Sequence, residues 1–167
     1  IVDFLINKVK ELKSKVLVLK SGTGTGKSTY LISETYLKLQ SKGRRANIIL
    51  SEPAIANAVS ISLSIITFGN NEFELEKNIG YITSGPKRPS DEGILVVTNG
   101  VASLMLEGYK EKSNNNKFFK YYYIFVDEVH RSSQELEILL YLLNKYKNHP
   151  KFPVIVLMSG TMDQDNL

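Results

Sequence analysis

The chain contains no cysteine and only two histidines, His130 and His149, among 167 residues. Without cysteine there is no disulfide, no thiolate zinc site and no cysteine nucleophile, which fits a reducing intracellular compartment, the cytoplasm ahead of the nucleus. Two isolated histidines make no histidine metal cluster. Long hydrophobic runs are missing as well: 121–126 and 154–158 are strand-sized, far short of the roughly 20 apolar residues that cross a bilayer. The N-terminus starts at Ile1 and its apolar run is broken by Asp3, so neither a signal peptide nor a transit peptide is expected there. It reads as a cut from a longer chain. An excess of one charge sign is also lacking, with 21 Lys and Arg against 17 Asp and Glu, a net +4. That balance is basic without the density of a histone-like tail or a polybasic anchor, and it names no partner.

What is present is a chain 43% apolar and 10% aromatic, enough for one domain with a sizeable core and too apolar for disorder. Val2, Leu5, Ile6, Val9 and Leu12 recur at helical spacing, predicting an amphipathic helix over 2–14. The unbroken run 16–19 then predicts a buried strand that ends in a glycine-rich turn, and a helix over 28–42 closes at Gly43. The alternation continues with strands at 46–50, 79–83, 94–98, 122–126 and 154–158 and helices at 54–66, 100–109 and 134–147. Strands too continuous in apolar residues to face water on one side imply an α/β domain, its mostly parallel sheet covered by helices on both faces. Segments 67–78, 84–93 and 110–120 are expected as surface loops whose lysines and arginines form ordinary solvated surface.

Between the first strand and the next helix lies Ser21-Gly22-Thr23-Gly24-Thr25-Gly26-Lys27-Ser28, the context a phosphate-binding loop requires. Small residues let the backbone turn its N–H groups toward phosphate oxygens, and the helix adds its positive end. Gly22 to Gly26, Lys27, Ser28 and the adjoining Thr29 are therefore the candidate nucleotide-binding residues. Lys27 is expected to bridge the β- and γ-phosphates and the Ser28 hydroxyl to ligate Mg²⁺. Ser21 replaces the first glycine of the strict pattern; serine is small, so the turn is expected to survive.

The strand 122–126 runs directly into Asp127-Glu128-Val129-His130. Parallel strands end on one edge, which carries this pair toward the phosphate loop. Asp127 is the expected Mg²⁺ holder, through water, and Glu128 the expected base that orients and deprotonates the attacking water. His130 gains significance only from following them.

With these residues placed, the chain resembles the first RecA-like domain of superfamily 2 helicases of the DExH type, which includes DEAH-box and viral RNA helicases. Ser21 to Ser28 looks like motif I, Asp127 to His130 like motif II, and Ser159-Gly160-Thr161 like the S-A-T of motif III. Ser51-Glu52-Pro53 falls where motif Ia lies, and Thr98-Asn99-Gly100 resembles the T-D-G of motif Ib. The resemblance covers nearly the whole chain and implies one P-loop NTPase domain over 1–167, with ATP or another NTP and Mg²⁺ as cofactors.

By the same resemblance, Ser159 and Thr161 with His130 couple nucleotide state to the nucleic-acid path. Residues 51–53 and 98–100 are expected to hold the backbone of a single strand, RNA before DNA, by main-chain and hydroxyl contacts. The spelling D-E-V-H and the pair Glu52-Pro53 look closest to the viral members. The departures are Ala54-Ile55 where relatives carry an arginine after the proline, Gly160 for alanine, and Asn99 for aspartate. No glutamine precedes Gln40, so this segment does not supply the adenine-reading glutamine that DEAD-box proteins place upstream of motif I, and weak base discrimination is expected. The resemblance also implies a second RecA-like domain bearing an arginine finger, for which the sequence leaves no room. Two other readings compete: a different P-loop enzyme such as a small-molecule kinase, and a non-catalytic interaction module that kept the fold.

Overall fold

The structure, a computed structural model, describes residues 1–8, 16–21, 27–44, 47–108 and 117–160. Its strands are β1 (Val16–Ser21), β2 (Ile48–Glu52), β3 (Ile79–Ile82), β4 (Lys87–Arg88), β5 (Ile94–Thr98), β6 (Tyr123–Val126) and β7 (Val154–Gly160). They form one sheet in the order β1-β7-β6-β2-β5-β3-β4, parallel throughout except for the β3–β4 pair. Among the described residues the α-helices accompanying them are α1 (Val2–Asn7), α2 (Lys27–Ser41), α3 (Ile55–Phe68), α4 (Asn99–Glu107) and α5 (Gln134–Tyr146).

Side-chain alternation along the strands builds two cores. Ile48 and Leu50 of β2, Tyr123 and Phe125 of β6, and Ile94 and Val96 of β5 pack beneath α1, α2 and α3 with Leu5, Ile32, Leu39, Ala58 and Ile65. Their neighbours Ile49, Ile124, Val126, Leu95 and Val97 face the other way, against α4 and α5, where Ala102, Leu106, Leu136, Leu139 and Leu143 meet them. Each large side chain so buried contributes about 1.5–3 kcal/mol. Continuous apolar strands are thus required, because both faces of the sheet are covered.

The doubly covered parallel sheet expected from the sequence is the one formed, with most element bounds within two residues of the expectation. Helix 2–14 is observed as α1 over Val2–Asn7, and 9–15 lie outside the described residues. Strand β4 was not anticipated: its two residues, Lys87 and Arg88, are both exposed and carry no apolar alternation. Among the described residues no helix is long and apolar enough to cross a membrane.

Candidate nucleotide site and nucleic-acid edge

Because β1, β7, β6, β2 and β5 are parallel, their carboxyl ends share one edge, and the candidate residues gather there. Ser21 pairs with Gly160, Ser51 with Val126, and Glu52 with Thr98. The strand order brings the ends of β1 and β6 to either side of β7, a juxtaposition no local pattern contains. Lys27 opens α2, and Ser28 and Thr29 follow half-buried in its first turn. Gly22, Thr23, Gly24, Thr25 and Gly26, the body of the expected loop, lie outside the described residues, as does Thr161.

Asp127 leaves β6 with its N–H donating to the Ser51 carbonyl at 2.9 Å, while its Oδ1 accepts from the Glu128 N–H at 2.9 Å. Glu128 is then turned by a left-handed backbone, φ +53°, uncommon for a residue with a Cβ and a mark of a sharply re-aimed chain. Its Oε2 lies 2.8 Å from Arg131 Nε, an ion pair that sequence reasoning missed although the two residues are three apart. Val129 N–H donates to the Met158 carbonyl at 3.0 Å, which joins the acidic turn to β7 one residue before Ser159.

That backbone link joins the acidic turn to the strand carrying Ser159, a member of the expected coupling set. The Ser159 hydroxyl donates to the Gly160 carbonyl at 3.1 Å, His130 is exposed, and among the described residues no hydrogen bond joins the two.

In the motif Ia stretch the side chains turn inward. Ser51 and Glu52 are fully buried and Asn99 is 2% exposed, so none of these side chains faces outward to meet a strand. The Ser51 hydroxyl instead donates to Asn99 Oδ1 at 2.6 Å, tying the end of β2 to the start of α4. Among the described residues neither carboxyl oxygen of Glu52 has a hydrogen-bond partner. Burial, and after it the neighbouring Asp127 and Glu128, pushes the Glu52 carboxyl up to about 10. It stands beside Asp127 as a neutral acid. A sequence with known strand order would have disclosed this, since β2 is the neighbour of β6.

Pro53, Thr98 and Gly100 remain accessible, and with Ile82, Lys87 and Leu104 they line a groove of about 830 Å³ along the same edge.

Among the described residues no group of three or more His, Cys, Asp or Glu is arranged to hold a metal ion. A closed protein cage is thus not on offer. Mg²⁺ seldom needs one: it keeps several waters and takes one or two protein oxygens together with substrate phosphates. The hard oxygens of Ser28 and Asp127 fit that donor set.

A doubly covered parallel sheet with a strand–loop–helix phosphate motif beside an Asp-Glu-x-His turn defines a first RecA-like domain of the superfamily 2 DExH helicase type. The family model described as type III restriction enzyme, res subunit, matches residues 1–164, and the chain belongs to that family. It is 28% identical over 167 residues to a chicken (Gallus gallus) protein named ATP-dependent RNA helicase DHX30, covering 96% of this chain and 13% of that protein. It is 29% identical over 161 residues to the probable ATP-dependent RNA helicase spindle-E of Drosophila sechellia, covering 91% and 10%.

Among solved structures, the Escherichia coli DEAH/RHA helicase HrpB superposes with a TM-score of 0.70 at 24% identity, over 97% of this chain and 20% of that one. That likeness establishes the fold. The chain thus spans about an eighth of its first curated relative. Family membership sets the small-molecule kinase reading aside. These relatives are animal and bacterial, so the viral side of the resemblance gains nothing from them.

Proposed function

We propose that this chain is the ATP-binding and ATP-hydrolysing lobe of a nucleic-acid helicase, RNA being the favoured substrate. The observation that supports this reading is the edge itself: parallel β1, β7 and β6 end side by side, so the end of β1, after which the phosphate-loop sequence begins, lies at the same edge as Ser159 and the Asp127–Glu128 pair. In this reading the backbone of Gly22 to Gly26 cradles the phosphates, and Lys27 neutralises charge between the β- and γ-phosphates. Ser28 and Asp127 hold Mg²⁺, which when bound screens phosphate charge and orients the triphosphate. Glu128 accepts a proton from the attacking water, and its turned backbone sets the direction of approach. Arg131 pairs with Glu128 and holds its carboxylate in position. Single-stranded nucleic acid runs along the groove at Pro53, Thr98 and Gly100. A second RecA-like lobe of the parent chain closes over the nucleotide, and Ser159 and Thr161 respond through the Val129–Met158 link.

The test is Mg²⁺-dependent binding of a fluorescent ATP analogue to this chain, competed by ATP, GTP, CTP and UTP. We expect all four to compete similarly, Lys27→Ala to abolish binding, and Glu128→Gln to bind normally. In a two-lobed parent protein, Glu128→Gln is expected to lower RNA-stimulated hydrolysis by roughly 10²–10⁴-fold, the range for loss of a positioned base. Unchanged hydrolysis there would refute the assignment.

A further inference from the structure

At the opposite, amino-terminal edge of the sheet the surface has a different character. A 3-10 turn at Lys117–Lys120 leads into β6, and the segment after α5 leads into β7. The Val154 N–H donates to the Tyr122 carbonyl at 3.0 Å, which holds these two segments together. In sequence, 117–123 and 144–153 carry five lysines and no aspartate or glutamate, while the whole chain nets only +4. These two segments are therefore locally basic, with Asp91 and Glu92 ahead of β5 as the nearby acids.

Aromatic rings are interleaved with these lysines. Phe119 and His149 stack at 4.6 Å between centroids and 19° between planes. Lys151 Nζ lies 6.0 Å from the Phe119 ring, Lys145 Nζ 5.3 Å from Tyr146, and Lys120 Nζ 5.3 Å from Tyr121. Lys145 and Lys151 are exposed, and Phe119, Tyr146 and His149 are half-buried. Among the described residues no carboxylate pairs with Lys120, Lys145, Lys147 or Lys151; Lys120 Nζ instead donates to the Asp91 backbone carbonyl at 2.9 Å. Ammonium groups without carboxylate partners, set beside flat rings, match a polyanion whose units can stack, which is the composition of single-strand platforms. A bilayer would instead call for protruding apolar side chains. The apolar rings Phe118, Tyr121 and Phe152 are buried, and none of the exposed large apolar side chains lies in this patch.

We propose that Lys120, Lys145, Lys147 and Lys151, with the Phe119–His149 stack and Tyr146, form a second single-stranded nucleic-acid contact at the amino edge of the sheet. The length of β6 and its flanks separates it from the carboxyl edge by roughly 15 Å or more at about 3.3 Å per residue. Lysines contact phosphates and the rings accept bases, with no base-edge reading, so the contact tolerates sequence. It goes beyond the helicase reading and does not depend on it, since neither nucleotide nor the groove at Pro53 takes part.

The test is fluorescence anisotropy of a labelled oligouridylate 12-mer with this chain at several salt concentrations. The chain is compared with Lys145→Ala/Lys151→Ala and with His149→Ala, each checked by thermal melting. The double lysine variant should bind on the order of 10-fold more weakly near 0.1 M salt and lower the log–log salt slope by about 1.4, the value for two lost single-strand phosphate contacts. His149→Ala should weaken binding with little change in slope, the signature of lost stacking. Both variants should bind fluorescent nucleotide as the parent chain does, so failure here is distinguishable from failure of the nucleotide site. Affinity and slope unchanged in folded variants would overturn the proposal. So would lysine-dependent binding to phosphatidylserine vesicles without binding to the oligonucleotide.

Discussion

Glu52 shows what the place of a residue in a motif leaves unsaid about its side chain. Its position at the end of β2 marked it for nucleic-acid contact; its side chain is buried beside Asp127 and, among the described residues, has no hydrogen-bond partner. A carboxyl with its folded pKa near 10, against about 4.3 for an unperturbed glutamate, keeps its proton in the folded state while the unfolded chain has lost it. Between those limits the folded state binds more protons, so stability falls as pH rises. Below the lower limit both states are protonated and the effect vanishes. Glu52→Gln has no proton to lose. Thermal melts in Mg²⁺-free buffer should therefore show its advantage over the parent chain growing from pH 5 to pH 9. A constant difference would mean that Glu52 is ionised in place.

At the scale of elements, α5 carries the clearest local cause. Ser133 caps it by accepting from the Leu136 N–H at 3.1 Å, and Glu135 and Glu137 complement its positive end. This helix supplies Leu136, Leu139 and Leu143 to the core behind β6, and so sets how firmly the strand before Asp127 is held. Ser133→Ala should cost about 1 kcal/mol, lowering the melting temperature by roughly 2–4 °C in a domain of this size. Gly93 poses a stricter requirement: φ is +84° and an added Cβ would run into the Asn78 backbone. Gly93→Ala should destabilise by more than the cap variant, and chemical denaturation of the two side by side checks the order.

For the molecule as a whole, the candidate nucleotide edge and the lysine–aromatic edge lie at opposite ends of the same strands. The resemblance places the arginine finger on a second lobe, and such fingers contribute on the order of 10³–10⁵ in rate in other phosphoryl-transfer enzymes. The 167-residue chain should accordingly bind Mg-nucleotide yet turn it over very slowly and unwind nothing by itself. Phosphate release and strand-displacement assays on the chain alone check this, and brisk unwinding would count against it. Lysines expected to be ordinary solvated surface at 110–120 include Lys120, which instead belongs to a lysine–aromatic cluster completed by residues about thirty positions later.

The sequence by itself determined the α/β class and nearly every described strand and helix, and it singled out the candidate phosphate loop and the Asp127–Glu128 turn. Those features follow from apolar periodicity and from small residues at a strand end, both of which act over a few neighbours. Tertiary structure decided the order of the strands, and with it which side chains meet. It placed β7 between β1 and β6, turned Ser51 to Asn99 and Glu52 to Asp127, and gathered lysines from two separate segments onto one edge. Strand order depends on how helices pack across both faces of the sheet, and that long-range competition leaves no mark in any short stretch of residues.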